Sequence, residues 1–407
     1  MTGTARQPRA LVVGLGLAGI ATALRLRQVG WEPVVVERAP ARRSSGYFIF
    51  LFGTGVSSAR RLGVLEEIGD RAGPQLASYE INRAGRRTSG RSPGMFPGVT
   101  TKPRHLLRGD VEKALFNALP DDVEIRFSTV PTRITQDAST AEVTLHDTAA
   151  DTYVTERFDL VVGTDGLRSS VRRLAFGDQD FLRPLNYMVG ATALDEPVAG
   201  FGLHEGLILA EPGRSAWTFP FVNRGPSLMF SYRADDIDAE FKRPAIESIR
   251  AAFGPKPAGP VLESLFSRFE QAPDALFDSV HQVKMDNWHR GRVVLVGDAA
   301  WCVTLYAGMG ASSAIAGGEL LGSLLERHPG DVADALRIWE SRMRPFIHTE
   351  QNSALIMRRS FTPHDRKEQL LRTAMLRIMT KPRLAKAVGK VVRGPDFSNK
   401  ELDVAAV

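Results

Sequence analysis

The sequence predicts an α/β protein: a parallel-sheet domain interrupted by a mostly antiparallel β insertion and followed by C-terminal helices. Three observations carry that prediction. Residues 9–37 read as strand, glycine-rich turn, helix and second strand. Residues 159–172 and 288–300 each show an apolar run that ends in small residues and an aspartate. Between them, residues 176–283 become short apolar strands separated by Gly, Pro and Asp, which is the pattern of an antiparallel sheet.

Residues 9–13 form a short apolar run of the buried-strand type. Gly14, Gly16 and Gly19 then supply Gly-x-Gly-x-x-Gly, with Leu17 and Ala18 inside it. Residues 20–29 have helical periodicity closed by Gly30, residues 34–36 are the second strand, and Glu37 stands at its end. This is a complete Rossmann-like βαβ unit with each glycine in its working place. One makes the turn, one lets a pyrophosphate approach the backbone, and one lets the helix pack on the strand. The diphosphate would sit on free amides at the positive end of the helix dipole. The Glu37 carboxylate would accept from two ribose hydroxyls and repel a 2′-phosphate, so the expected dinucleotide is FAD or NAD, not NADP.

A chain of 407 residues has room for two or three domains. The expected division is a nucleotide domain in two parts, 1–175 and 284–345, a substrate-side domain over 176–283, and a helical segment over 346–407. Hydrophobic content of 43% and charged content of 24% are ordinary for a soluble globular protein. Cys302 is the only cysteine, which excludes intrachain disulfides. No run of eighteen apolar residues occurs, and residues 1–8 are too short and polar for a signal peptide. An enzyme of the cytoplasm without an integral membrane segment is therefore expected. The net charge of +6 is concentrated at 358–400, where 12 Lys and Arg face 3 Asp and Glu. No helix-turn-helix, zinc-finger or RRM signature accompanies it, so nucleic-acid binding is not expected. Leu370, Leu371, Met375, Leu376, Ile378 and Met379 recur there at helical spacing. That predicts a basic helix lying on the catalytic body, with an acidic membrane surface as the alternative.

The remaining elements follow in order. Residues 38–46 are a loop by their Pro, Ser and Gly content; Arg42 and Arg43 there either reach phosphate or adenine or stay solvated. A strand is predicted at 47–52, a helix at 56–68, a strand and turn at 78–87, irregular chain at 92–102, and a helix from 106 that holds Arg108. Strands follow at 123–130, 141–146 and 153–158. Asp165-Gly166 turns the chain into a helix: Asp caps free amides, Gly lets backbone approach a ligand, and Arg172 lies within reach of Asp165 or a phosphate. Strands at 188–194, 206–210, 215–221 and 227–232 and helices at 246–253 and 261–271 make up the insertion. A β-rich run then ends in Gly297-Asp298, whose carboxylate suits sugar or ribityl hydroxyls. Loop amides of Met309 and Gly310 suit an anionic ligand edge. Helices at 315–325, 332–347 and 368–378 precede a loose tail from Gly394.

Together the three motif stretches, spread over nearly the whole chain, resemble the class A flavoprotein monooxygenases of the para-hydroxybenzoate hydroxylase fold. Gly14-x-Gly16-x-x-Gly19 with Glu37 matches that family's FAD fingerprint, Asp159 to Arg172 its Asp-Gly motif, and Gly297-Asp298 its Gly-Asp motif. Length and the Gly- and Ala-rich helix after Gly310 are most similar to the smaller members acting on polycyclic aromatics, including tetracycline-inactivating ones. The resemblance implies resident FAD, with NADH or NADPH as a transient reductant, since no second nucleotide fingerprint is present. It implies hydroxylation of an aromatic, polycyclic phenolic substrate by dioxygen through a flavin C4a-hydroperoxide, in a monomer or homodimer. Carried onto this chain, the glycine turn with Leu17 and Ala18 would hold the diphosphate, and Glu37 the adenosine ribose, with Arg38 beside it. Arg43 (or Arg42) would stand on the flavin side, Arg108 at the phosphate or ribityl chain, and Val130 at the adenine. Asp165 would serve both nucleotides, Asp298 the ribityl chain, and Met309, Gly310 and Ala311 the flavin pyrimidine edge.

The departures are local. Where the family usually has His, a Pro pair, Gly-Gln-Gly and Asn, this chain has Trp301, Thr304-Leu305, Gly308-Met309-Gly310 and Ser312. Binding through backbone amides survives that change, whereas the rigid frame of the loop is lost. The alternatives are a reductase of the same fold or a flavoprotein that sequesters an aromatic ligand; the Trp-x-Trp-x-Ile motif of flavin halogenases is absent. No catalytic acid or base stands out: His204, Tyr232 and His281 read equally as structural residues, and Cys302 as a buried inert thiol. The strands expected to roof the flavin are rich in large apolar residues, and Arg214, Arg224 and Arg233 fall at predicted turns. A multi-ring ligand suits such walls better than a compact acid. Strand faces alternate, so Trp217 and Phe219, on one face, are expected to touch it.

Overall fold

A computed structural model describes residues 6–42, 46–91, 102–379 and 398–407. Arg43, the irregular stretch at 92–101, most of the basic run beyond 379 and the first residues of the tail lie outside the described residues.

β1 (Arg9–Val13), α1 (Leu17–Gln28) and β2 (Glu32–Val36) form the predicted unit, with the strands parallel and Val13 opposite Val36. α1 begins three residues earlier than its periodicity suggests, because extended Gly16 is its N-cap and the next turn is already buried. β3 (Phe48–Leu51) leads into α2 (Gly53–Arg61) and the short α3 (Leu65–Ile68). The single helix predicted over 56–68 breaks at Gly63, whose φ of +80° leaves helical space at little cost for glycine. β4 (Ala77–Ile81) and β5 (Arg87–Arg91) form a hairpin. β6 (Arg104–Leu107) pairs antiparallel with β3 and feeds α4 (Arg108–Asn117). The strand predicted at 123–130 is two: β7 (Glu124–Arg126), on the edge beside β2, and β8 (Thr129–Gln136). The break falls at Ser128, with φ of +51°. β8 continues into an antiparallel meander with β9 (Ala141–Asp147) and β10 (Thr152–Phe158).

β11 (Leu160–Gly163) lies parallel beside β1 and leads to α5 (Ser170–Phe176). The insertion supplies β12 (Leu182–Ala193), β13 (Glu205–Glu211), β14 (Arg214–Phe219) and β15 (Ser227–Arg233). It then adds α6 (Ile237–Glu240), α7 (Ala245–Phe253), α8 (Gly259–Gln271) and β16 (Leu276–Val283). Its sheet has the order β16-β12-β15-β14-β13-β4-β5, antiparallel except where β13 meets β4. The two faces of this sheet separate cleanly, as strand alternation requires. Ile208, Trp217, Phe219 and Met229 join the main core. Leu207, Leu209, Leu228 and Phe230 instead pack with Ile249 and Phe253 of α7 and Leu262 and Phe266 of α8.

β18 (Val293–Leu295) adds a parallel strand beside β11, and β17 (His289–Arg290) closes that edge antiparallel, giving the order β17-β18-β11-β1-β2-β7. Three helices follow: α9 (Gly310–Arg327), α10 (Val332–Phe361) and α11 (Arg366–Met379). α10 runs through Pro345 to Phe361 rather than stopping near 347. A proline inside a helix costs about 3 kcal/mol, and the buried stripe of Trp339, Met343, Phe346, Ile347, Ala354 and Met357 offsets it. α11 has the expected spacing but the opposite orientation. Leu370, Leu371 and Met375 are exposed, and the docking side is polar: Arg372 pairs with Glu80 at 2.6 Å and Gln369 donates to the Ala210 carbonyl. A guanidinium between two carboxylate oxygens makes a strong, directional contact to the sheet at β4. No helix among the described residues is long and apolar enough to cross a membrane.

Candidate functional site

The glycine turn is shaped by what a side chain would strike. Gly14 has φ of +106°, and a Cβ there would lie 2.8 Å from the Thr164 carbonyl oxygen. A Cβ on Gly19 would lie 1.8 Å from the Gly14 oxygen. Thr164 Oγ1 locks this corner, 2.7 Å from the Val13 oxygen and 2.9 Å from that of Gly14. Gly16 is different: the nearest atom to its Cβ position is Arg108 Nη2 at 3.8 Å. The turn is therefore tight on its protein side and open on the side that Arg108 overlooks. Arg108, at the start of α4, is held by its ion pair with buried Glu112 at 2.6 Å. Burial raises the Glu112 carboxyl pKa despite that partner.

Glu37 accepts from the amides of Leu15 and Ala39, both at 2.9 Å. Its carboxylate thus braces the glycine turn, and its remaining lone pairs are available to a ligand. The Glu37 carbonyl accepts from Thr129 N–H at 2.9 Å, which sets half-buried Val130 at the same corner. Arg38 is exposed. Arg42 stacks over the Phe116 ring at 4.5 Å and lies within electrostatic reach of Glu112, the partner of Arg108, so it is not loosely solvated.

Asp165 caps α5, as expected, through Oδ2 with Ser170 N–H at 2.6 Å and Val171 N–H at 3.1 Å. The helix starts at Ser170, with Ser169 as its N-cap. Arg172 does lie within electrostatic reach of Asp165, although burial outweighs that carboxylate and lowers the guanidinium's pKa; its hydrogen bonds go elsewhere. Arg172 is buried and donates to the carbonyls of Ala299 (2.8 Å) and Leu167 (2.7 Å), tying the second motif to the third. Gly297, with φ of +70°, lays that third motif on α1: its Cβ would meet Ala18 Cβ at 2.9 Å. Asp298 is open to water from one side while protein packs its other sides; that burial raises its carboxyl pKa, and nearby Cys302 and Arg108 oppose the rise. Tyr47 shares this wall, its phenol pushed up by burial and drawn down by Arg108. The Cys302 thiol donates to the His281 carbonyl at 3.3 Å, and burial pushes it well up, so it is a neutral thiol rather than a nucleophile.

α9 brings the last predicted residues to the same place. Its first intrahelical bond is Ser313 N–H to the Met309 carbonyl, so the amides of Gly310 and Ala311 lie at the open positive end of an 18-residue helix. No atom lies within 4 Å of a Cβ on Gly310. Met309 is wholly buried in the core. Gly318 and Gly322 let α9 press against Thr22 and Arg25 of α1. The succession of these approaches makes the helices parallel, with both N-termini at one cleft. An anionic dinucleotide fits this cradle: two positive helix ends, an overlooking guanidinium, and carboxylates at either side.

The departures in the loop have structural roles. Trp301 packs with Trp288 (4.9 Å) and Trp339 (5.8 Å). Ser312 Oγ accepts from Phe52 N–H at 3.0 Å. Thr304 has φ of +73° and a buried hydroxyl with no partner, a strain of roughly 1–3 kcal/mol for a β-branched residue.

On the substrate side, Trp217 and Phe219 do share a face, 6.0 Å apart. Both are buried; Trp217 Nε1 donates to the Phe361 carbonyl at 3.1 Å, and Phe219 stacks on Phe48 at 4.4 Å. An open cleft lies elsewhere. A cleft of about 870 Å³ is lined by Leu167 and Arg168 of the Asp-Gly turn, with Phe241, Phe277, Asp278 and His281. Nothing local in the sequence signals this cleft, because its walls come from separate stretches. His281 Nδ1 has no partner there, and burial lowers the ring's pKa, keeping it neutral. His204 bonds the Val222 carbonyl and Tyr232 donates to Glu240 at 2.6 Å; both are structural.

Comparison with known proteins agrees with this cradle. A family profile described as an FAD binding domain matches residues 8–335. A flavin-dependent monooxygenase from an unknown prokaryotic organism is 25% identical over 360 residues, covering 87% of this chain and 90% of its own. The crystal structure of tetracycline destructase Tet(51) superposes with a TM-score of 0.75 at 23% identity, covering 99% of both chains. That of Klebsiella pneumoniae HpxO complexed with FAD and uric acid does so with a TM-score of 0.72 at 19% identity, covering 95% of this chain and 97% of that one.

Proposed function

From the premise that the chain belongs to the FAD binding domain family and is an FAD-dependent monooxygenase, we propose that it hydroxylates a polycyclic phenolic substrate with dioxygen and NADH or NADPH. The observation that carries the reading is the meeting of two helix N-termini, Arg108 and Asp298 at one cleft. FAD bound there would supply the activation of dioxygen, at the expense of NADH or NADPH, for hydroxylating an electron-rich ring. The protein's part is to hold and screen. The glycine turn and Arg108 hold the diphosphate, Glu37 the adenosine ribose, Val130 the adenine, and Asp298 the ribityl hydroxyls. The amides of Gly310 and Ala311 take the pyrimidine edge, and Asp165 acts through the helix it caps. The packed rings of Phe48, Trp217, Phe219 and Phe361 keep water from the reacting face.

Glu37→Ala should weaken FAD binding by about 1–3 kcal/mol, since it strips an acceptor from two ribose hydroxyls and releases the Leu15 amide. Flavin occupancy through a dilution series measures it; wild-type occupancy would refute the ribose assignment.

The polycyclic preference is supported by the apolar, aromatic character of the sheet face that carries Trp217 and Phe219, and by uric acid, a fused-ring compound, as the ligand named for the HpxO complex. A panel of simple benzoates and polycyclic phenols, scored by stimulated NAD(P)H oxidation and incorporation of labelled oxygen, tests it. Polycyclic phenols should stimulate and be hydroxylated. Stimulation by benzoates alone would overturn the substrate class.

A further inference from the structure

The C-terminal tail returns to the centre of the molecule. Lys400 Nζ lies 2.6 Å from the Ala307 carbonyl oxygen and 2.8 Å from a Glu350 carboxylate oxygen, and both ionic side chains are 1% exposed. The tail is seated by close backbone approach: a Cβ on Gly53 would stand 2.8 Å from the carbonyl oxygens of Lys400 and Glu401. Asp403 pairs with Arg61 at 2.7 Å, and Asn399 donates to the other Glu350 oxygen at 2.8 Å.

Ala307 ends the single turn Leu305–Ala307 in the loop between Asp298 and α9. The start of that loop is tied to α10, where Gln351 Nε2 donates to the Trp301 carbonyl, and its turn is closed by Gly308 N–H on the Leu305 carbonyl at 3.0 Å. Thr304 is strained and its hydroxyl unpartnered, and Gly308 is left-handed, with φ of +67°. Tyr306 is held from the sheet side, its hydroxyl 2.9 Å from Ser231 Oγ. The opposite side is held by the ammonium. Burying an ion pair is a poor route to stability, but a charged donor on a carbonyl fixes position well.

We propose that Lys400 is a positioning residue for the flavin loop: by gripping the Ala307 carbonyl it sets the amides of Gly310 and Ala311, while Glu350 balances its charge. The proposal rests on the reading that those amides face the flavin. Only Gly308 and Met309 separate Ala307 from Gly310, so the position of that carbonyl bears directly on where the helix begins.

Lys400→Met alone leaves the Glu350 carboxylate buried without its counter-ion and endangers the fold. The double variant Glu350→Gln/Lys400→Met removes both charges at similar volume, and the introduced amide oxygen still accepts from Asn399. Ala311→Pro deletes one flavin-facing amide with the grip intact, at a first-turn position that tolerates proline. The full-length double variant should melt like the wild-type apoprotein. Its FAD dissociation constant should rise about tenfold, the size of one charged hydrogen bond, the midpoint potential of its bound flavin should shift, and Ala311→Pro should also weaken FAD. If Ala311→Pro weakens FAD while the double variant keeps wild-type affinity and potential, the grip is overturned and the loop reading stands. If Ala311→Pro leaves affinity unchanged, the loop reading fails and takes the grip with it.

Discussion

Gly19→Ala is expected to give a colourless protein that melts roughly 5 °C below the wild type. The new Cβ would stand 1.8 Å from the Gly14 carbonyl oxygen and 2.7 Å from Thr164 Oγ1. The first of these is backbone and cannot swing aside, so α1 must lift from β1. Overpacking of this kind costs about 1–3 kcal/mol. Losing the Thr164 bonds to the Val13 and Gly14 carbonyls adds about 1 kcal/mol each. Their sum, about 3–5 kcal/mol, corresponds to a fall of about 4–6 °C in a protein of 407 residues. The lifted helix also turns its free amides away from the diphosphate, so flavin is lost with stability. Gly16→Ala is the informative companion. Its Cβ meets only Arg108 Nη2, at 3.8 Å, and its φ of −86° suits alanine, so the fold should keep its melting temperature while FAD affinity falls. Thermal melts and flavin absorbance of the two variants separate packing from ligand approach. A Gly19→Ala protein with wild-type melting would show that the strand–helix corner yields more easily than its distances allow.

Features with a local physical cause are legible in the sequence. The glycine turn is one, because each glycine answers a clash or a φ fixed within a few residues. The face alternation of β14 is another, and it puts Trp217 and Phe219 together without any knowledge of the fold. Sequence and structure part where a distant partner decides. Periodicity assigns β6 to the start of α4, because Leu106 and Leu107 suit either state until β3 is present to pair with. Pro345 looks like a helix end, and only the buried stripe along α10 carries the helix through it. The spacing of α11 is right and the face it suggests is wrong, since nothing local tells that Glu80 will meet Arg372, 292 residues away.

The same division runs through the site. Glu37, Asp165 and Asp298 are legible as ends of strands; the device joining them is not. Arg172 sits near Asp165 in sequence and suggests itself as its partner, yet it bonds the Ala299 carbonyl across 127 residues. The Asp165 carboxylate still acts on Arg172 through space, but its own hydrogen bonds are committed to the helix cap, so the guanidinium's donors go to carbonyls. Lys400 and Thr304 give no signal at all. A lysine in a basic tail and a threonine in a loop are ordinary until the chain folds around them.

Asp298→Ala should separate two quantities that usually fall together: FAD affinity should drop about tenfold to a hundredfold, while the apoprotein loses no stability. The first expectation follows from the position of the carboxylate, open to the cleft where the two helix ends meet. Hydrogen bonds from ribityl hydroxyls to a charged acceptor are worth about 1.5–3 kcal/mol. The second follows from the direction of the carboxyl's shift. Burial raises its pKa in the folded protein, so the folded state holds its proton more tightly than the unfolded chain does. Such a group favours folding less as pH rises through the interval between its unfolded and folded pKa values. At neutral pH its charge is therefore a small burden on the apoprotein, small because one side is wetted, and alanine removes it. Apoprotein melts at pH 7 and near pH 4 should find the variant equal to or above the wild type at pH 7, with the difference shrinking in acid as the carboxyl takes up its proton. Flavin titration of the same preparations supplies the other half. Wild-type FAD affinity in the variant would remove Asp298 from the ribityl chain. A melting temperature that falls at pH 7 and recovers in acid would mean that the carboxylate is held by partners in the folded protein, with a pKa shifted down rather than up.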